Sequence, residues 1–173
     1  MRHVAVTLLS AIFWLGSALQ AQNADLPHLH PQSKMIDGAV HPELIPDIAA
    51  YRLYLLAVAR SATPTEQERR HQAAQLGVIG LSEADGQTAI SILATFKDQY
   101  QSLINVYNQQ AKAAWTKGER PDIAAFLLQR DQIVQLAHDA LKVRLSSVGW
   151  SQLDAHVMGE KKRMKISAKE ESQ

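Results

Sequence analysis

Residues 82–117, SEADGQTAISILATFKDQYQSLINVYNQQAKAAWTK, decide the fold of this chain. Apolar residues recur in it at steps of three and four, the period of one stripe along an α-helix. They are Ala89, Leu93, Phe96, Tyr100, Leu103, Tyr107, Ala111 and Ala114. Ser82 is a suitable N-cap and Gly118 a suitable C-terminal stop. The stretch therefore predicts one helix, about 50 Å long at a rise of about 1.5 Å per residue.

A second long helix is predicted directly after a tight turn at residues 119–122. Its apolar stripe consists of Ile123, Leu127, Val134, Ala137, Leu141 and Leu145. Two long amphipathic helices joined by a short loop pack as antiparallel neighbours. The sequence thus predicts a long helical hairpin.

Three further helices are predicted around this hairpin. Asp47 is the expected N-cap of a helix over residues 48–59 that is apolar almost all round, which is typical of a buried, central helix. Residues 63–66, TPTE, match a capping box before a polar surface helix that ends near Gly77. Ser146 begins the last helix. Because no segment alternates as a strand does, we predict an all-α antiparallel bundle built on the helical hairpin.

The chain divides into four predicted segments. Residues 1–21 combine a basic start, a short apolar run and small residues ending at Ala21, the pattern of a secretory signal peptide. Residues 22–46 form an extended, partly disordered lead-in rich in Pro and Gly, which could still wrap on the body through Met35, Ile36, Leu44 and Ile45. Residues 47–158 form the helical domain, and residues 159–173 a basic and polar tail. We therefore expect a periplasmic or secreted protein with no stable membrane span.

Composition narrows the class of protein. Arg2 is the only charged residue of the predicted signal peptide, so the rest of the chain has equal numbers of basic and acidic residues. That balance argues against nucleic-acid binding, which favours a basic excess. There is no Cys, hence no disulfide and no thiolate metal site. No catalytic motif occurs, so we predict no enzymatic activity and no cofactor.

Two groups of polar residues near the N-terminus leave alternatives open. His28, His30 and His41 could bind a divalent metal ion, which suggests a periplasmic metal-binding or metal-sensing protein. The segment from Asp37 to Asp47 contains carboxylates and an imidazole, the groups that general acid–base catalysis needs. An enzyme built on this segment is therefore a second alternative. A structural protein without independent activity is a further alternative.

The long helix carries more apolar surface than one partner helix covers. Ile90, Ile92, Ile104, Val106 and Trp115 lie off its main stripe. Such a surface indicates an apolar groove that binds unfolded or partner polypeptides, or the face of a homodimer. The residues we predict to bind clients are Tyr100, Ile104, Tyr107 and Trp115, with Trp150 close by.

Two Leu-Ser steps open helices in this sequence, LSEAD at residues 81–85 and LSSVG at residues 145–149. Together with the signal peptide and the helical hairpin, they resemble the periplasmic LTxxQ-motif proteins, the Spy and CpxP group of chaperone and stress proteins. Both copies have Ser for Thr and lack Gln at the fifth position. The resemblance covers residues 81–158 and implies a chaperone-like or stress-associated role. Residues 36–47 are similar to the lead-in of uncharacterised exported bacterial proteins.

Overall fold

Five helices make up most of residues 34–168, the part of the chain that this computed structural model describes. They are α1 (Asp47–Val58), α2 (Glu66–Ile79), α3 (Glu83–Thr116), α4 (Ile123–Arg144) and α5 (Ser147–Lys161). A 3-10 turn spans Pro42–Leu44, and two short strands are β1 (Lys34–Asp37) and β2 (Lys165–Ala168). The predicted all-α bundle is confirmed. No helix within these residues is long and apolar enough to cross a membrane.

The helical hairpin is formed by α3 and α4, and its limits agree with those predicted. The hydroxyl of Ser82 accepts a hydrogen bond from the backbone N–H of Asp85 at 3.1 Å and so caps α3. The chain leaves α3 through Gly118, whose φ of 73° lies in the left-handed region that glycine adopts without strain. Asp122 caps α4 in the same way, accepting from the N–H of Ala125 at 3.0 Å.

Helix α1 is the central helix, as its apolar sequence predicts. It packs against each of the other four helices and buries Ala50, Tyr51, Leu55 and Val58 almost completely. The expected N-cap is wrong by one residue, because Asp47 is already helical and Pro46 occupies the capping position. The Asp47 side chain is therefore free to accept a hydrogen bond from the Lys161 ammonium at 2.6 Å, which links the start of α1 to the end of α5.

The capping box of α2 lies two residues after the predicted one. Thr65 is the N-cap, and its hydroxyl accepts from the N–H of Glu68 while the Glu68 carboxylate accepts from the N–H of Thr65. The sequence around residues 63–68 fits the pattern in both registers. The helix also continues past Gly77 to Ile79 and ends at Gly80, which has a φ of 80°.

A two-stranded sheet joins the two ends of the described chain, which contradicts the prediction that no strand occurs. Strand β1 pairs with β2 in antiparallel register, with Ile36 opposite Ile166. Past the strand, the N–H of Gly38 donates to the carbonyl of Met164 at 2.8 Å, and Ile45 is fully buried. This part of the lead-in, predicted to be partly disordered, is therefore structured in residues 34–45.

The N-termini of α3 and α5 are joined by one buried carboxylate. Asp85 accepts a hydrogen bond from the Ser146 N–H at 2.8 Å, one from the Ser146 hydroxyl at 2.6 Å and one from the Ser82 hydroxyl at 2.9 Å. Ser82 and Ser146 are themselves the N-caps of the two helices. Since carboxylates are favourable at helix N-termini, one side chain here serves both helices.

The pH dependence of stability should report on this carboxylate. The hydrogen bonds from the Ser146 hydroxyl and N–H hold the pKa of Asp85 below its ordinary value. Its contribution to stability is therefore fully present above the unfolded pKa of about 3.9 and is lost as the pH falls through the lower folded pKa. The test covers pH 5 to pH 3, about one unit either side of the unfolded pKa. Over this interval the urea midpoint of the wild type should fall further than that of Asp85→Asn. Parallel pH profiles of the two proteins would contradict this assignment.

Candidate functional site

The far half of the helical hairpin extends beyond the main hydrophobic core. Along α3 the core reaches Phe96, with Tyr100 packed at its edge, and on α4 it resumes at Ile133 and Val134. Residues 101–132 between these limits are called the hairpin arm. The α3 side of the arm alone is roughly 24 Å long at about 1.5 Å per residue. The arm thus presents a two-helix surface beside the five-helix body.

The arm is held together by side chains between its own two helices. Leu103 and Ala111 of α3 are buried there, outside the main core. The ring of Tyr107 packs on the ring of Phe126 from α4, with centroids 4.6 Å apart. At the base of the arm, Asp131 lies 3.7 Å from the guanidinium of Arg52 in α1, which fixes the hairpin against the body.

The outside of the arm carries large apolar side chains, and its seven charged residues lie near its tip and its base. Its large exposed hydrophobic side chains are Val106, Trp115, Ile123, Leu127 and Leu128. Trp115 is 68% exposed and Leu128 is 63% exposed. No charged residue occurs from Tyr100 to Ala111 or from Ile123 to Gln129. Exposed apolar side chains beside uncharged stretches of two helices are typical of a site that binds another molecule.

Four of the five predicted client-binding residues lie on or next to the arm. Trp115 is exposed near the tip of the arm, whereas Ile104 and Tyr107 are half-buried along it. Tyr100 lies at the base, with its ring 5.5 Å from that of Phe96. The predicted residues of α3 therefore divide into an exposed tip and a partly packed base.

The structure places Trp150 away from the arm. Its ring stacks on that of Tyr51 at 6.0 Å and meets the edge of His138 at 5.3 Å. It follows Gly149, which contacts Asp85 at the start of α3. Because Trp115 is 30 positions further along α3 than Asp85, Trp150 is roughly 45 Å from it along the helix axis. Trp150 is therefore a partly buried residue that packs against the core at the opposite end of the hairpin.

Three residues of α4 belong to the arm surface but were not among the predicted binding residues. Ile123 and Leu127 were expected on the inward stripe, yet they are exposed, as is Leu128. The run Phe126-Leu127-Leu128 contains the signal, because three consecutive helical residues cannot all face one partner. Phe126 takes the inward position against Tyr107.

The N-terminal polar residues form only isolated pairs in the described chain. His41 is exposed, and its Nδ1 lies 3.1 Å from a Glu43 carboxylate oxygen. Asp37 pairs with Lys165 at 3.0 Å, at the end of the small sheet. His28 and His30 lie outside residues 34–168, and within those residues no group of three or more His, Asp or Glu could hold a metal ion.

No protein-family model, curated protein or solved structure matches this chain. Its function is therefore inferred from the geometry and chemistry of its own residues.

Proposed function

We propose that this protein is an exported, chaperone-like helical binding protein whose hairpin arm binds apolar segments of unfolded polypeptides. The observation that supports the proposal is the cluster of exposed apolar side chains on the arm, led by Trp115 and Leu128. These residues lie outside the main core, so the protein does not need them for its own packing. The proposed role is binding rather than catalysis.

The chemistry of the arm suits transient contact with many sequences. Covering apolar surface contributes about 25 cal/mol per Å² removed from water. The stretch from Tyr100 to Ala111 has Gln and Asn in place of charged residues, so a client is not selected by charge. An indole ring at the tip supplies a large contact area with few rotatable bonds. Affinity for any single segment is expected to be modest for these reasons.

Export is the second part of the proposal and depends on residues 1–21. We expect the chain in the periplasmic or secreted fraction at a size shortened by the removal of these residues. Immunoblotting of cell fractions with an antibody to residues 34–168 measures both size and location. A full-length chain confined to the cytoplasm would contradict export.

The direct assay is light scattering of a chemically unfolded client protein diluted into buffer. The chain from Gln22 onward should suppress aggregation at a near-equimolar ratio. If the protein has no effect on scattering while its circular dichroism shows a folded helical state, that result would contradict the proposal.

A second copy of the chain is the competing occupant of the arm. Two arms packed together would form a four-helix bundle and bury the same side chains. Sedimentation velocity across the concentrations of the scattering assay separates the two cases. A monomer, or a dimer that dissociates when the client is added, supports client binding. A dimer that persists and leaves aggregation unchanged would identify the arm as a dimer interface.

A further inference from the structure

A cleft lies between α1, α2 and α5, on the body of the protein and apart from the hairpin arm. Its volume is about 350 Å³, within the range typical of small-molecule sites. The walls are mostly apolar, and the side chains that the argument needs are Leu53, Tyr54, Gln75, Val78, His156 and Glu160. Leu53 and Val78 are exposed and form part of the rim.

Two residues that line this cleft each have a buried polar atom without a partner among the described residues. These atoms are the hydroxyl of Tyr54 and the Oε1 atom of Gln75. Tyr54 is only 8% exposed. Tyr51, one turn earlier on α1, shows the usual arrangement, since its hydroxyl donates to Asp154 at 2.7 Å. Buried polar groups are hydrogen-bonded in most proteins, so a pair of unpartnered groups beside one cleft requires an explanation.

A packing role does not explain the Tyr54 hydroxyl. A phenylalanine would supply the same ring against His156, whose centroid is 6.0 Å away, without burying a polar atom. Burial raises the pKa of Tyr54, so the group remains a protonated donor at neutral pH. Behind the lining of the cleft lie a hydroxyl donor from Tyr54 and a carbonyl acceptor from Gln75.

The charged group on the wall restricts which ligand fits. Glu160 lines the cleft, and its carboxylate accepts a hydrogen bond from the guanidinium of Arg163 at 2.8 Å. An anionic ligand would be repelled by this carboxylate, and burial of any isolated charge against apolar walls is unfavourable. Neutral compounds with an apolar body are favoured.

We propose that this cleft binds a small neutral amphiphile, with an aromatic or aliphatic body and a hydroxyl at its inner end. That hydroxyl accepts a hydrogen bond from Tyr54 and donates one to Oε1 of Gln75. The two protein atoms are screened from water, so the ligand displaces part of the lining to reach them. Gln75 and Met164, which also lines the cleft, have long unbranched side chains that can turn aside.

The test uses p-cresol and toluene as a matched pair of probes that differ by one hydroxyl. The chain from Gln22 is titrated with each probe, and binding is measured from NMR chemical shifts. p-Cresol should bind at least about fivefold more tightly than toluene, because roughly one net hydrogen bond contributes that difference in affinity. Tyr54→Phe should reduce this preference, because only the hydrogen bond to Gln75 remains, and should leave toluene binding unchanged. Tyr100→Phe is the matched control, because Tyr100 lies at the base of the arm and does not line the cleft.

A second variant keeps the inference testable if Tyr54→Phe changes the packing. Val78→Trp adds bulk at an exposed rim position and should block both probes while the protein stays folded. Absence of p-cresol binding at millimolar concentration, equal affinity for the two probes, or full retention of the preference in Tyr54→Phe would each overturn the proposal. Those results would mean that the two groups do not form a ligand site. None of them bears on the arm, which is a separate surface.

Discussion

Replacing Gly149 with alanine is expected to lower the free energy of unfolding by about 2 kcal/mol or more, as overpacking at a rigid contact does. A Cβ atom at this position would lie 2.7 Å from the carboxyl carbon of Asp85. Asp85 cannot move away easily, because hydrogen bonds from Ser82 and Ser146 hold it between the ends of α3 and α5. Urea denaturation followed by far-UV circular dichroism measures the loss.

Gly159→Ala is the matched control in the same helix. No atom lies within 4 Å of a Cβ built at Gly159, so the change adds no clash. Alanine is also the better helix former by up to about 1 kcal/mol, so this variant should be as stable as the wild type or more so. Equal destabilisation by both substitutions would show that the contact with Asp85 does not join the two helices as described.

The second large effect is expected on client binding. The pair Trp115→Ser and Leu128→Ser should raise the amount of protein needed to suppress aggregation by about tenfold, which is roughly 1.4 kcal/mol of lost binding. Both side chains are more than half exposed, so their loss should change the free energy of unfolding by less than about 0.5 kcal/mol. Light scattering and urea denaturation of the same preparations measure the two quantities.

Val143→Ser with Val148→Ser is the control pair for the arm. Val143 is 80% exposed and Val148 is 65% exposed, but both lie outside residues 101–132. This variant also removes two exposed apolar side chains and should suppress aggregation as the wild type does. If both pairs lose activity equally, general surface hydrophobicity is responsible and the arm has no special role.

The limits of α3 could be predicted because the residues that set them are local. Ser82 and Gly118 act through their own backbone neighbourhood, and the apolar period between them is continuous over the whole helix. The same reasoning misplaced the cap of α2 because Thr63 and Thr65 each precede a glutamate by three positions. Only the packed structure selects Thr65.

The contacts that close the body could not be predicted from local patterns. Strands β1 and β2 have four residues each, and they pair across nearly the whole described chain. Asp85 reads in the sequence as an ordinary acidic residue in a first helical turn, while its partner Ser146 lies 61 positions away. A single polar side chain that joins distant segments leaves no periodic signal.

The candidate site was predicted in part for the same reasons. Trp115 stands off the apolar stripe of α3, and its exposure follows from that position. Trp150 lies at helical spacing from the buried Leu153 and Val157, but its stacking on Tyr51 depends on how α5 crosses α1. The unpartnered hydroxyl of Tyr54 is visible only when three helices are in place.

Site-specific photo-crosslinking tests the role of the arm most directly. A photoreactive phenylalanine analogue is placed at Leu128 in one preparation and at Val143 in another, and each is irradiated with an unfolding client protein. Both positions are exposed and lie on α4, but only Leu128 belongs to the arm. The account predicts that the client crosslinks at position 128 and not at position 143. Equal crosslinking at the two positions, or crosslinking at 143 alone, would contradict it.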